Sequence, residues 1–263
     1  MNKYWAVFKI NWQKSFEYRA DFTGHIGMGV ITFVVMYFVW SAVFKNQTYF
    51  RGYTFSAMMT YVLLTKFLHF TSRGNIGRQM ANEIKEGGLS AYLIKPVSYL
   101  RWWFSAFLAD RSFEFLVRLG MIIIFFFVLP NVIIFSGVGR FLLFLSFLVV
   151  SLIINYMINV LVASFAFWVT DVRLFRQAML MIFEFLGGSL VPLDVMPLFL
   201  KNFSLLLPFQ FTTFFPIKIY QGSLNASQVL NGILLAIGWM FILAVILGFF
   251  WIKGVKRYEA IGQ

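Results

Sequence analysis

Residues 141 to 169 read FLLFLSFLVVSLIINYMINVLVASFAFWV and contain no charged side chain. A helix needs about 20 apolar residues to cross a bilayer, so this run predicts a membrane-spanning helix. The rest of the chain has the same character: of 263 residues, 60% are hydrophobic and 12% are charged, with a mean hydropathy of +0.80. A soluble domain carries about 25% charged residues. The sequence therefore predicts an all-α integral membrane protein.

Similar apolar stretches recur along the chain at about bilayer length. The predicted spans are residues 22–44, 54–71, 112–129, 141–169, 175–191 and 228–252. They divide the chain into a leading segment, 1–21, and a six-helix transmembrane domain, 22–263. The two halves of that domain show no repeat with matching Gly or Pro interruptions, which disfavours a carrier built from inverted repeats.

The distribution of Lys and Arg predicts the orientation, because these residues concentrate on the cytoplasmic side of membrane proteins. With the N-terminus inside, most of the 22 Lys and Arg residues fall on the cytoplasmic side. The basic residues left outside are Lys45, Arg51, Arg140, Lys201 and Lys218. Both termini are therefore predicted to be cytoplasmic. The net charge of +12 is assigned to contact with lipid headgroups, not with nucleic acid.

The leading segment 1–21 is amphipathic, because at 100° per residue its aromatic and polar side chains separate onto two arcs. The aromatic arc holds Tyr4, Trp5, Phe8, Trp12 and Phe16. The polar arc holds Lys3, Lys9, Gln13, Lys14 and Glu17. This pattern predicts a helix lying in the membrane interface. A cytosolic helix packed on a partner protein is the alternative.

Two connections between spans are longer than turns. The first, 82–103, is predicted to be cytoplasmic, and Gly87, Gly88 and Pro96 leave room in it for a short helix over 89–94. The second, 192–227, is predicted to be external and holds four of the six prolines, yet it stays apolar. Apolar, proline-broken backbone is expected to re-enter the bilayer, shielded by protein.

Residue types exclude several kinds of chemistry. Cysteine is absent and histidine is limited to His25 and His69, which leaves no disulfide, thiolate or Cys-based zinc site. No H-E-x-x-H, G-x-S-x-G or G-x-x-x-x-G-K-[ST] motif occurs. The chain is thus predicted not to be an enzyme and to carry no cofactor or metal. If it uses ATP, another chain must hydrolyse it.

Polar residues within the predicted spans are the candidates for a substrate pathway, because ionisable groups are costly in hydrocarbon. Lys66 and Glu184 fall at similar depth, roughly 10 to 12 Å from the cytoplasmic interface at 1.5 Å per residue. We expect them to face each other or a shared aqueous cavity, with His69 one turn from Lys66. An ion pair joining two helices and a substrate contact both remain open. Asn155 and Asn159 are interpreted as hydrogen-bonding between helices.

A charged group lies at the start of the third predicted span, and it predicts that this helix begins before the membrane. Its members, Asp110, Arg111, Glu114 and Arg118, are three and four residues apart and can pair along a helix. We interpret them as a collar at headgroup level, in preference to a catalytic cluster.

Three segments together carry a family resemblance. They are EIKEGGLSAYLIKPVS (residues 83–98), GGSLVPLDVMPLFLKNFSLLLPFQFTTFFPIKIYQG (187–222) and the ending WIKGVKRYEAIGQ (251–263). With the amphipathic leading segment, they resemble the type-2 ABC exporter permeases, in particular the bacterial six-span group of about this length. The E-x-x-x-G-x-L-x-x-x-L-x-x-P spacing and the later L-P-F, Pro and Gly pattern are moderately specific together and weak apart.

The resemblance implies a half-transporter in the bacterial plasma membrane. It would pair with a second permease copy or a related permease and with two cytoplasmic ATPase subunits that bind ATP and Mg. Residues 83–93 would form the coupling helix, braced by the leading helix. Within it, the residues implied to contact the ATPase are Glu83, Glu86, Gly87, Leu89, Tyr92 and Leu93. The second and fifth spans would line the pathway, with Lys66, His69 and Glu184. The external gate would include Pro192, Pro208, Phe209 and Pro216.

The function expected from this resemblance is export of an amphipathic or hydrophobic substrate. A proton- or sodium-coupled carrier is the alternative, followed by a membrane-embedded lipid enzyme or scaffold. The resemblance also predicts that charge reversal at Glu83 and Glu86 uncouples ATP hydrolysis from transport without unfolding the permease. The second glycine, Gly88, loosens the start of the coupling helix and leaves its register open.

Overall fold

The computed structural model describes residues 3–17, 19–72, 76–169 and 172–258, and these fold into α-helices and short 3₁₀ turns without a named β-strand. The helices are α1 (Lys3–Glu17), α2 (Arg19–Phe44), α3 (Phe55–Ser72), α4 (Ile76–Lys85), α5 (Ser90–Leu93), α6 (Tyr99–Val128), α7 (Val138–Ser164), α8 (Val172–Leu186), α9 (Leu198–Leu206), α10 (Phe214–Gln221) and α11 (Ala226–Arg257). The predicted all-α class is confirmed.

Each predicted span corresponds to one long helix, namely α2, α3, α6, α7, α8 or α11. Among the described residues, three helical stretches are long and apolar enough to cross a bilayer: Gly27–Phe44, Val138–Phe167 and Ala226–Arg257. The other three helices are shorter or contain charged side chains. Helix α8 has 15 residues, α3 contains Lys66, and α6 contains charged residues near its middle. For α3, α6 and α8, membrane crossing stays a prediction.

Helix α7 lies at the centre of the fold. Buried residues make up 44% of its apolar stretch, against 11% for that of α2 and 17% for that of α11. It packs against α3, α4, α8, α10 and α11. Small residues allow close approach of neighbours: Gly232 of α11 lies directly against the Phe215 ring of α10, and Gly77 of α4 lies against Asn159. The helices α2 and α11 thus form the periphery and present apolar side chains outward.

Helix α6 begins well before the predicted start of the third span at residue 112. It starts at Tyr99, directly after the Pro96 break, because no Gly or Pro interrupts residues 99–111. The charged collar therefore lies within a continuous helix. Arg111 is buried, and its Nη1 donates to Glu114 Oε2 at 3.2 Å, while Glu114 Oε2 also lies 3.8 Å from Arg118 Nε. The pairing expected from the three- and four-residue spacing is confirmed.

Helix α8 ends at Leu186, short of the predicted 191, because a pair of glycines reverses the chain. Gly188 has a φ of +79°, a region that favours glycine. Its carbonyl accepts a hydrogen bond of 2.6 Å from the Tyr61 hydroxyl. A Cβ at this position would lie 2.9 Å from that hydroxyl, so the close contact between α3 and the 187–188 turn needs glycine.

Helix α1 packs along α6. Its aromatic arc is only partly buried by this contact. Val7 is the buried side chain, whereas Trp5 is half exposed. The aromatic residues stack on one another, with ring centroids 5.0 Å apart for Trp5 and Phe8, and Trp12 meets Phe113 of α6 edge-on. The side chain of Phe16 lies outside the described residues. Contact with the membrane interface stays a prediction for α1.

The predicted re-entrant segment, 192–227, folds into two short helices, α9 and α10, each preceded by a 3₁₀ turn. Helix α10 is almost fully buried and packs against α3 and α7. Its last turn hydrogen-bonds to two neighbours, since Gln221 Nε2 donates to Ala57 O at 2.8 Å and Tyr220 donates to Ile134 O at 3.1 Å. Helix α10 is therefore part of the protein core, whereas α9 exposes Leu198, Phe199 and Leu206. Re-entry of the segment into a bilayer stays a prediction.

Candidate functional site

Two of the three predicted pathway residues lie together. His69 Nε2 of α3 is 3.9 Å from Glu184 Oε1 of α8, and their side chains are 12% and 19% exposed. Lys66 instead lines a pocket between α2, α3 and α6, and the Arg118 guanidinium donates to its backbone carbonyl at 2.7 Å. An ionisable side chain of α3, His69, thus lies next to Glu184 of α8. A pair between Lys66 and Glu184 stays a prediction.

Glu184 also borders a cavity between α7, α8 and the 3₁₀ turn Pro208–Thr212, whose wall is largely apolar and includes Ile158, Leu180, Phe183 and Phe209. We call it the polar cavity after the amides and hydroxyls that reach it. Asn155 and Asn159 of α7 line it together with Ser189 and Thr212. Asn155 Nδ2 donates to Thr71 Oγ1 of α3 at 3.3 Å, which is the interhelical hydrogen bond expected of it. Asn159 Nδ2 donates within α7, to the Asn155 carbonyl at 2.9 Å. Buried amides and a carboxylate therefore meet where α3, α7 and α8 converge.

The predicted coupling helix, 83–93, is divided into two pieces. Glu83 lies in α4, the chain turns at Gly87, which has a φ of +83°, and the short α5 follows, capped by Leu89 and Ile94. The break falls at the glycine pair, where backbone entropy disfavours a continuous helix. The helix expected over 89–94 is present.

Glu83 points into the protein. Its Oε2 accepts hydrogen bonds from the Tyr99 hydroxyl at 2.9 Å and from the Trp103 indole at 3.1 Å, and its Oε1 accepts a longer one, 3.4 Å, from the Tyr92 hydroxyl. We call these four residues the Glu83 cluster. The cluster joins α4, α5 and α6 through one carboxylate. Burial and the nearby Glu83 carboxylate raise the pKa of the Tyr99 phenol, so it stays a hydrogen-bond donor at neutral pH.

The opposite face of α5 is open. Leu93 and Ile94 are 51% and 85% exposed, and Glu86 is exposed beside them, whereas Leu89 is buried. Two other elements fasten the ends of this turn. From α1, the Lys3 ammonium donates to Pro96 O and the Tyr4 hydroxyl accepts from Ser98 N at 3.2 Å. From the end of α11, the Tyr258 hydroxyl accepts from Ser90 N at 3.3 Å.

A second cluster forms around the carboxylate of Asp194 and includes Tyr53, which lies just before the start of α3. Asp194 Oδ1 is 2.7 Å from Lys201 Nζ, while its Oδ2 is 3.0 Å from Lys218 Nζ and accepts from the Tyr53 hydroxyl at 3.1 Å. We call Asp194, Lys201, Lys218 and Tyr53 the Asp194 cluster. Burial alone would raise the pKa of the Asp194 carboxyl, but the two lysines outweigh it and hold this pKa below its usual value.

One predicted gate residue, Phe209, lines the polar cavity, and the gate prolines are buried nearby in the chain. Pro192 and Pro208 are buried and begin 3₁₀ turns, and Pro216 is buried in α10. The Phe209 ring packs on Phe183 of α8, with centroids 4.5 Å apart, and both line the polar cavity. The predicted gate and the predicted pathway thus share a wall, which residue spacing alone does not show.

A comparison with protein families gives a match that covers most of the chain. A family model described as "ABC-2 family transporter protein" matches residues 30–262. The chain belongs to this family. A search among curated proteins finds no significant match.

Membership in the ABC-2 family makes the chain a permease of an ABC transporter, that is, a transport subunit and not an ATPase. It also implies association with ABC ATPase subunits. The matched region starts at residue 30, so α1 and the beginning of α2 precede it. The sequence of this ABC-2 permease did not lead us to predict the hydrogen bonds and ion pairs of the Glu83 and Asp194 clusters. One signal was available for Asp194: a carboxylate in a long apolar segment needs partners, and Lys201 and Lys218 are in that segment.

Proposed function

We propose that this permease is the membrane subunit of an ATP-driven exporter for an amphipathic or hydrophobic substrate. Two ATPase subunits, holding ATP and Mg, would bind on the side of α5, and a second permease copy or a related permease would complete the pathway. Both termini would be cytoplasmic, in the plasma membrane of a bacterium. ATP-driven closure of the ATPases would then move α5 as a rigid body.

The observation that carries this proposal is the construction of the α4–α5 turn. Its exposed end is apolar, at Leu93 and Ile94, as expected of a surface that binds another protein. Its buried side is joined to α6 through Glu83. A displacement of α5 would therefore be transmitted to a 30-residue helix, about 45 Å long at 1.5 Å per residue.

The polar cavity at Glu184 supports a pathway through the α3, α7 and α8 region. It lies beneath the Pro208–Thr212 turn, and Ser151 of α7 donates to Phe211 O of that turn at 2.6 Å. Movement of α8 or of the turn would open or close this cavity. In the proposal, Glu184 contacts substrate inside it, His69 lies beside Glu184, and the segment 192–222 acts as the outer gate.

The absence of cysteine allows a direct test with single thiols. We expect Ile94→Cys, in membranes of the host, to give a thiol-specific crosslink to a Walker-motif ATPase, identified by mass spectrometry. Asn46→Cys is the matched control, because Asn46 is also exposed but lies in the connection after α2, at the other end of the molecule. Both positions are exposed, so each substitution should change stability by no more than about 0.5 kcal/mol.

The purified complex should also hydrolyse ATP with vanadate sensitivity. A crosslink to the ATPase from Asn46→Cys, or none from Ile94→Cys, would contradict the proposed side. Transport by the isolated chain that collapses with an ionophore would favour a proton- or sodium-coupled carrier. If the chain binds other membrane proteins but neither hydrolysis nor transport is found, a scaffold would be favoured.

A further inference from the structure

A pocket on the flank of the molecule combines cations with an apolar wall. It lies between α2, α3 and α6, and its ionisable lining residues are Lys66 and Arg118. The remaining wall is apolar and includes Val30, Phe33 and Ile122. We call this the lateral pocket. Val30 at its edge is 37% exposed, so the pocket opens sideways between helices and not only along the helix axes.

The Arg118 guanidinium is held in place by its contacts. It donates to the Lys66 carbonyl at 2.7 Å, which joins α6 to α3 at this level. Arg118 Nε also lies 3.8 Å from Glu114, whose Oε2 accepts from Arg111 Nη1 at 3.2 Å, and Arg111 also pairs with Asp110. Along α6 two arginines therefore meet two carboxylates, and Lys66 adds a further positive charge to the lining of the pocket.

The long side chains of Lys66 and Arg118 can reach from the pocket toward the headgroup region of a bilayer. Lys66 lies six residues before Ser72, the last residue of α3, which corresponds to about 9 Å at 1.5 Å per residue. Lys and Arg side chains at this depth extend toward the interface while their aliphatic parts stay in apolar surroundings. Basic pockets between membrane helices are known to take lipid headgroups.

We propose that the lateral pocket binds an acidic amphipath from the surrounding bilayer. Its anionic headgroup is held by Lys66 and Arg118, and its acyl chain lies against Val30, Phe33 and Ile122. This inference goes beyond the proposed function, because it concerns binding to the permease itself and holds whether or not the lipid is the transported substrate.

The test is a titration of the purified full chain in neutral detergent with phosphatidylglycerol, followed by native mass spectrometry. We expect Lys66→Gln to weaken binding about fivefold. Val30→Trp should weaken it as well, by filling the acyl groove from its exposed edge without altering charge. Lys45→Gln, which removes an exposed cation far from the pocket, is the matched control and should leave binding unchanged.

Three results would overturn the proposal. Equal binding of phosphatidylcholine would show that the anion is not recognised. Displacement of the lipid by inorganic phosphate at equal concentration would show that the acyl chain contributes nothing and that the site takes a free anion. Unchanged binding in both Lys66→Gln and Val30→Trp would place the lipid elsewhere. Retained thermal stability of each variant shows that a loss of binding is local.

Discussion

The Glu83 cluster and the Asp194 cluster do the same structural task by different means. Each uses one carboxylate to join separate segments of the chain: α4, α5 and α6 in the Glu83 cluster, and residues 53, 194, 201 and 218 in the Asp194 cluster. Asp194 is satisfied by two ammonium groups and a phenol, whereas Glu83 is satisfied by two phenols and an indole. The first arrangement depends on charge, and the second depends on the direction of neutral donors.

This difference suits the two proposed tasks. Directional hydrogen bonds from rigid aromatic rings fix the orientation of α5 relative to α6, which a coupling element requires. The ion pairs of Asp194 are partly exposed, since the Asp194, Lys201 and Lys218 side chains are 19%, 33% and 14% exposed, so these pairs are weaker and can exchange with water or ions. The Asp194 segment is therefore the easier of the two to open, as expected of a gate.

The largest expected effect comes from reversing the charge of Glu83. Glu83→Lys would place a donor among three donors and leave the two phenols and the indole without an acceptor, so we expect a loss of about 3 kcal/mol in stability. Thermal unfolding of the purified chain in detergent measures it. Glu86→Lys, an exposed neighbour on the same turn, should cost no more than about 0.5 kcal/mol.

The hydrogen bonds of Glu83 bear on the uncoupling experiment predicted from sequence for Glu83 and Glu86. Charge reversal at both positions was expected to uncouple ATP hydrolysis from transport with the fold intact, but Glu83 is an internal hydrogen-bond acceptor. Only Glu86→Lys is suited to show uncoupling in a folded permease. Equal stability of the two variants would mean that Glu83 faces the ATPase and would remove the comparison between the clusters.

A smaller effect is expected at the other cluster. Asp194→Asn keeps the shape and the acceptor oxygen but leaves the charges of Lys201 and Lys218 uncompensated, so we expect a loss of about 1 kcal/mol. Lys201→Met in the Asp194→Asn background should restore part of the loss, because it removes one of the two repelling charges. A double-mutant cycle on unfolding temperature measures this coupling. Additive effects of the two substitutions would show that the ion pair contributes nothing.

The sequence predicts what depends on local pattern. Helices α2, α3, α6, α7, α8 and α11 each fall on an apolar stretch that the sequence shows. The short helix α5 lies between the Gly87–Gly88 pair and Pro96, which interrupt helices on either side of it. The pairing of Arg111 with Glu114 follows from helical spacing within one element. The similar depth of Glu184 and Lys66 correctly brings α8 toward α3, although the observed neighbour of Glu184 is His69.

Contacts that depend on the tertiary fold were not accessible in this way. Tyr53 is 141 residues from Asp194, and nothing local to either residue indicates the other. Glu83 and Trp103 are closer, 20 residues apart, but their hydrogen bond requires the reversal at Gly87 and the early start of α6 at Tyr99. The inward direction of Glu83 depends on that reversal, and the family resemblance, which implies that Glu83 contacts the ATPase, contains no information about it.

The last prediction separates the two clusters by pH. The pKa of Asp194 is lowered in the folded protein, so its contribution to stability is present in full above about pH 5 and decreases below the unfolded value of about 3.9. It is lost once the pH falls through the lower native pKa. Unfolding of wild type and Asp194→Asn should therefore differ at pH 7 and converge on acidification, while Lys201 and Lys218 stay charged throughout. A difference that does not decrease at all between pH 7 and pH 2 would mean that the charge of Asp194 contributes nothing, and the contrast with Glu83 would then fail.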